Sequence, residues 1–126
     1  MKKIILMVIL SSLNYVVVAD TLAFNCNTEK HTIIIEDQGK GMYRYRSWNM
    51  PKAALDKPDM DLRSKEISVV GTGNCRHTEY SFKTGKVKFI VDDDISCVEG
   101  KPPKNAIGNL YVFISDEMKS HYYCLK

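Results

Sequence analysis

Apolar and polar residues alternate in short runs along most of this chain, and the runs are separated by Gly, Asp, Asn and Lys. A period of two places successive side chains on opposite faces of a strand. Tyr80 and Phe82 share one face while Glu79, Ser81 and Lys83 share the other. Val87, Phe89 and Val91 likewise oppose Lys86, Lys88 and Asp92. Segments of this kind, rich in β-branched and aromatic residues, predict strands over Thr21–Cys26, His31–Glu36, Met42–Trp48, Glu66–Gly71, Arg76–Phe82, Lys86–Asp92, Asn109–Ser115 and His121–Leu125. Asp37-Gln38-Gly39-Lys40-Gly41, Thr84-Gly85 and Asp116-Glu117 read as hairpin connections, the glycines supplying the positive φ that tight turns need. Pro51–Leu55 hints at one or two helical turns, limited by Pro58, and Lys101-Pro102-Pro103-Lys104 reads as a loop. The fold class expected is all-β: a small antiparallel barrel or two-sheet sandwich of about eight strands.

The first nineteen residues break this pattern. Lys2 and Lys3 precede an apolar run, Ile4 to Leu10, which Ser11, Ser12 and Asn14 interrupt before Val16-Val17-Val18. Val17-Val18-Ala19 has the small residues read by a signal peptidase, so residues 1–19 are expected to be a secretory signal peptide. Cleavage after Ala19 is favoured, with Ala23 as the second site. A membrane anchor needs roughly 20 mostly apolar residues, and this run is shorter and broken. Asn25 precedes Cys26 where a lipoprotein signal wants Gly or Ala, so Cys26 reads as a structural thiol. Residues 20–126 then form one β-rich domain with a periplasmic or secreted destination.

Composition sharpens the picture in two places. The net charge of +3 falls to +1 once Lys2 and Lys3 are set aside, so no basic excess points to nucleic acid. Four cysteines, Cys26, Cys75, Cys97 and Cys124, make an even set in an exported small domain, which implies two disulfides. Three pairings are open. The positions of Cys26 and Cys124 in the first and last strands favour Cys26–Cys124 with Cys75–Cys97.

Chemistry-bearing motifs are few. The chain has no G-x-S-x-G, no H-E-x-x-H and no glycine-rich phosphate loop. His31, His77 and His121 are dispersed, so no metal and no cofactor is expected, and the chain reads as non-enzymatic. Asp92-Asp93-Asp94 lacks Ca²⁺-loop spacing and reads as a solvated strand end. Tyr43-Arg44-Tyr45-Arg46-Ser47-Trp48 places Arg44, Arg46 and Trp48 on one side of a strand. Arg, Tyr and Trp are the side chains enriched at interface hot spots, against the alternative of a core row with solvated arginines. Arg76 and His77 open another strand, where a polar strand start is the favoured reading and an extension of the same patch the alternative.

The order of Phe24-Asn25-Cys26, Gly39–Gly41, Gly71-Thr72-Gly73 and Tyr122-Tyr123-Cys124 resembles that of small exported Gram-negative proteins, among them the periplasmic C-type lysozyme inhibitors. In those disulfide-tied β-barrels a Ser-Gly-x-Arg-Tyr-like loop and a later Lys-Gly turn enter the lysozyme cleft. Thr72-Gly73-Asn74-Cys75-Arg76-His77 and Lys83-Thr84-Gly85-Lys86 stand in the corresponding places, with Thr72 for the serine and one extra residue before Arg76. The resemblance implies a binding protein whose partner is a lysozyme, wall hydrolase or toxin. It adds Gly73, Arg76 and His77 to Arg44, Arg46 and Trp48, which stand on their residue types, as the candidate contact residues. A small-molecule or glycan binder using the barrel mouth, with Trp48 stacking on the ligand, is the second reading, and a secreted hydrolase without a known motif is the third.

Overall fold

A computed structural model describes residues 20–126; the expected signal peptide, residues 1–19, lies outside the described residues. The described residues fold as nine antiparallel strands: β1 (Thr21–Asn27), β2 (His31–Asp37), β3 (Tyr43–Asn49), β4 (Met60–Ser64), β5 (Ile67–Val70), β6 (His77–Thr84), β7 (Val87–Asp92), β8 (Ala106–Ile114) and β9 (Glu117–Leu125). A short 3₁₀ turn, Gly73–Cys75, leads into β6. The all-β expectation holds, with one strand more than the alternation had shown. That strand is β4, where Met60 and Leu62 pack inward and Asp61 and Arg63 face out.

The strands form one sheet in the order β4-β3-β2-β1-β9-β8-β7-β6-β5. The ladder is not closed, because β4 and β5 are its two ends. The sheet nevertheless curls until β4 lies against β6. The inner faces of the two halves meet across the core: Tyr45 packs at 5.2 Å on both Phe82 and Phe89, and Tyr43 at 5.5 Å on Tyr80, measured between ring centres. Around them Ile33, Ile35, Val91 and Leu110 complete a buried apolar cluster. Each such side chain contributes about 1.5–3 kcal/mol on removal from water. Burial pushes the Tyr45 hydroxyl up to about 12, so it stays neutral in the core.

The join between the halves is narrow. β1 and β9 share a single residue pair, Asn27 with Leu125. Beside it the Cys26–Cys124 disulfide crosses the same seam, both cysteines fully buried. The second disulfide is Cys75–Cys97, so both bridges pair as the strand positions favoured. The Gly39-Lys40-Gly41 loop turns as expected, with Asp37 Oδ1 accepting from the Gly39 N–H at 2.8 Å. The other two hairpins each turn one residue away from the expected pair, at Gly85-Lys86 and Ser115-Asp116. Pro51–Leu55 forms tight turns instead of helix, closed by Lys52 N–H to Asn49 O and Asp56 N–H to Ala53 O.

Candidate functional site

The residues expected to form one contact patch fall into two regions. Arg44, Arg46 and Trp48 do share the outer side of β3, opposite Tyr45. Two of them are already engaged with neighbouring strands. Arg44 holds Asp61 of β4 through two hydrogen bonds, Nε to Oδ1 at 2.8 Å and Nη2 to Oδ2 at 2.6 Å. This pairing keeps the Asp61 carboxyl below the usual carboxylate range. Arg46 pairs with Glu36 of β2 and lies over the Trp48 ring, 5.4 Å from its centre.

Trp48 is a correction. Its exposure is 0 %, because the 50–59 loop folds over the indole and Nε1–H donates to the Asp56 carbonyl at 2.8 Å. It cannot act as a surface anchor or stack on a ligand at a barrel mouth. The same loop is pinned at its base by Asp59, which accepts from the Asn49 N–H and pairs with Lys52. At its tip Leu55 is 100 % exposed.

Gly73, Arg76 and His77 belong to the other half of the molecule. Gly73 and Arg76 are exposed around the 3₁₀ turn, while His77 turns into a cleft. The cleft, about 550 Å³, opens on the outer face of β6 to β9, opposite the core. Alternation builds it. With Tyr80 and Phe82 inward, His77 and Glu79 face out; with Val91 inward, Ile90 and Asp92 face out; with Leu110 inward, Tyr111 and Phe113 face out. Residues after β7 form its roof, and Cys97 ties that roof to Cys75 at the head of β6.

The polar floor is a connected chain. Asp92, 5 % exposed, accepts at Oδ1 from Asn109 Nδ2 at 2.9 Å. Asn109, fully buried, also donates to the Asp94 carbonyl at 3.2 Å. Its amide is thereby oriented, and its Oδ1 faces His121 Nε2 at 2.7 Å, so His121 carries its proton on Nε2 and donates. The His121 ring stacks on Tyr111 at 4.7 Å. Burial lowers the His121 pKa, against a smaller opposing pull from Asp92. Burial pushes the Asp92 carboxyl up, with the Asn109 hydrogen bond opposing.

His77 has the contrary setting. Its Nδ1 lies 2.8 Å from the Cys75 carbonyl and its Nε2 3.2 Å from Glu79 Oε1, so both nitrogens face acceptors and both donate in the imidazolium. The Cys75 carbonyl, then Glu79, raise its pKa despite partial burial. Gly71 lets this carbonyl sit where it does: its φ is +79°, and a Cβ there would collide with Cys75 O.

The Asp92-Asp93-Asp94 run corrects the solvated reading at its first residue: Asp92 is buried, whereas Asp93 is exposed and Asp94 half-buried. Asp93 Oδ1 accepts from the Thr78 N–H, and Asp94 Oδ1 accepts from the Ile95 and Ser96 N–H groups and the Ser96 hydroxyl. The Ser96 hydroxyl foremost keeps Asp94 below the ordinary carboxylate range. Glu79, Asp92, Asn109, Tyr111 and His121 were not singled out as site residues by the sequence. The signal available was their phase, opposite to the apolar rows. Among the described residues no group of three or more His, Cys, Asp or Glu is arranged to hold a metal ion. No family model, curated protein or solved structure matches the chain.

Proposed function

We propose that this chain is an exported, non-enzymatic binding protein whose working site is the disulfide-roofed cleft over β6 to β9. The observation that carries this reading is the cleft itself. Its volume of about 550 Å³ falls in the range of small-ligand sites, and it joins apolar walls to a few convergent polar groups. Those polar groups are fixed by one another, Asp92 by Asn109, Asn109 by His121, and His77 by Cys75 and Glu79. Recognition gains from such pre-ordering, because little side-chain freedom is left to lose on binding. Two disulfides fit an oxidising, non-cytoplasmic compartment. Among the described residues no helix is long and apolar enough to cross a membrane.

The 50–59 loop supports a second reading, an inhibitor or immunity protein acting on a lysozyme, wall hydrolase or toxin. Its base is pinned by Trp48 and Asp59 while Leu55 stands fully exposed at its tip. Amide NMR separates the two. Titration with a panel of charged and neutral small ligands should move resonances at His77–Glu79, Ile90–Asp92 and Tyr111–Phe113. If none of the panel moves them, while a lysozyme or other lytic enzyme shifts residues 50–59, the cleft reading is overturned in favour of the inhibitor.

A further inference from the structure

We propose that the cleft takes an organic cation, a primary ammonium or guanidinium on an apolar stem, with Asp92 as its counter-ion. This rests on the reading of the cleft as the working site. Four carboxylates line it, those of Glu79, Asp92, Asp94 and Glu99, and no Lys or Arg does. His77, whose setting favours the imidazolium, is hydrogen-bonded to Glu79 and to the Cys75 carbonyl and pulls on Asp92 and Asp94 only from beyond ion-pair distance.

Asp92 is the decisive group. It is more than nine-tenths buried, it lines the cleft, and its side-chain partner is the neutral amide of Asn109. Among the described residues it makes no ion pair. A buried carboxylate with no ion-pair partner in contact is costly, and an incoming cation relieves that cost. The charged or titratable groups facing it are Glu79 and His77 from β6, Tyr111 from β8, His121 from β9 and Asp94 beyond β7.

The walls define the rest of the ligand. Ile90, Val98 and Met118 offer apolar surface for a methylene stem, and Phe113 an aromatic face. The Phe113 ring already carries one cation: Lys88, which does not line the cleft, holds its ammonium 4.9 Å from the ring centre. Such a head group occurs on free amines and on lysine or arginine side chains of a partner.

The test is titration calorimetry with amide NMR on the oxidised protein. The probes are agmatine, benzylamine, the neutral isostere benzyl alcohol, benzoate, and an acetylated, amidated Gly-Arg-Gly peptide. The cations should bind at least tenfold more tightly than benzyl alcohol and shift cleft amides, and Asp92→Asn should lose at least tenfold in affinity. If circular dichroism shows that Asp92→Asn is unfolded, the doubly substituted Glu79→Gln/Glu99→Gln protein carries the test, with a loss of about fivefold expected. Tighter binding of the peptide than of agmatine assigns the cation to a partner's side chain, and the reverse order to a free amine. Equal binding of benzylamine and benzyl alcohol, or undiminished binding by the carboxamide variants, overturns the inference. If benzyl alcohol or benzoate shifts the cleft amides and no cation does, the cleft stands as a binding site and the cation is wrong. If no probe of any charge shifts them, both fall.

Discussion

Removing Cys26–Cys124 should destabilise the protein more than removing Cys75–Cys97, and the structure sets the size of each loss. The outer bridge closes a loop with its ends 98 positions apart, the inner one a loop of 22. In the chain-entropy account these closures are worth about 4.7 and about 3.4 kcal/mol at 25 °C. The outer bridge also spans the seam where β1 and β9 share a single residue pair, so no ladder of hydrogen bonds stands in for it. Cys26→Ala/Cys124→Ala and Cys75→Ala/Cys97→Ala can be compared by urea unfolding. Trp48, the single tryptophan and wholly buried, reports the transition by fluorescence. With a slope of about 1.5 kcal/mol per molar, the midpoints should fall by about 3 M and about 2 M. An outer variant already unfolded in water fits the expectation. An outer variant within about 1 M of the wild type, or one more stable than the inner variant, refutes the reasoning.

Glu36→Ala should cost about 2 kcal/mol, because it leaves the partly buried Arg46 uncompensated and Arg46 Nε is already buried without an acceptor. Asp61→Ala, which removes the more exposed of the two carboxylates, should cost less than about 1 kcal/mol in the same urea assay. Trp48→Phe removes the donor to the Asp56 carbonyl and should speed tryptic cutting after Lys52 at least tenfold while far-UV dichroism stays native. The raised His77 pKa adds stability that is complete below 6.5, its unfolded value, and lost as pH rises through the folded pKa. Urea midpoints of His77→Gln and wild type should therefore differ most below pH 6.5 and converge as pH rises through the raised folded pKa. His121, whose pKa is lowered, works oppositely: its contribution is complete above 6.5 and declines as pH falls, so His121→Gln should flatten the acid-side loss.

The strands were legible because the core rows are strongly apolar and strictly alternate, as in Tyr80 with Phe82 and Phe89 with Val91. β4 escaped because Met60-Asp61-Leu62-Arg63 offers only two apolar positions, just after Pro58 and a turn-rich stretch. Whether the sheet closes depends on how β4 meets β6, a tertiary contact that no local pattern encodes. The disulfide pairing was accessible because Cys26 and Cys124 mark the first and last strands. The cleft was not, for a physical reason. Its floor draws one or two side chains from each of four strands, and a polar outward row looks like any solvated face until a roof covers it. His77 was singled out as an extension of an arginine patch, and the structure places it in the cleft instead. Trp48 shows the converse ambiguity: its face was read correctly, but a loop ten residues long buries it.

The narrow seam also bears on how the chain reaches its native state as it is synthesised. Cys26 is the first thiol to appear and Cys124 the last, with Cys75 and Cys97 between them. The strands β1 to β4 can pair among themselves long before β9 exists, and throughout that interval Cys26 has no correct mate. The first sulfur it can meet is that of Cys75. A linear oxidation in order of appearance thus yields Cys26–Cys75 and Cys97–Cys124, which would staple the wrong strands together. Native pairing then depends on thiol exchange, a process of seconds to hours that an isomerase shortens. Yield in a host lacking such an enzyme should be limited by reshuffling rather than by transport or by strand formation.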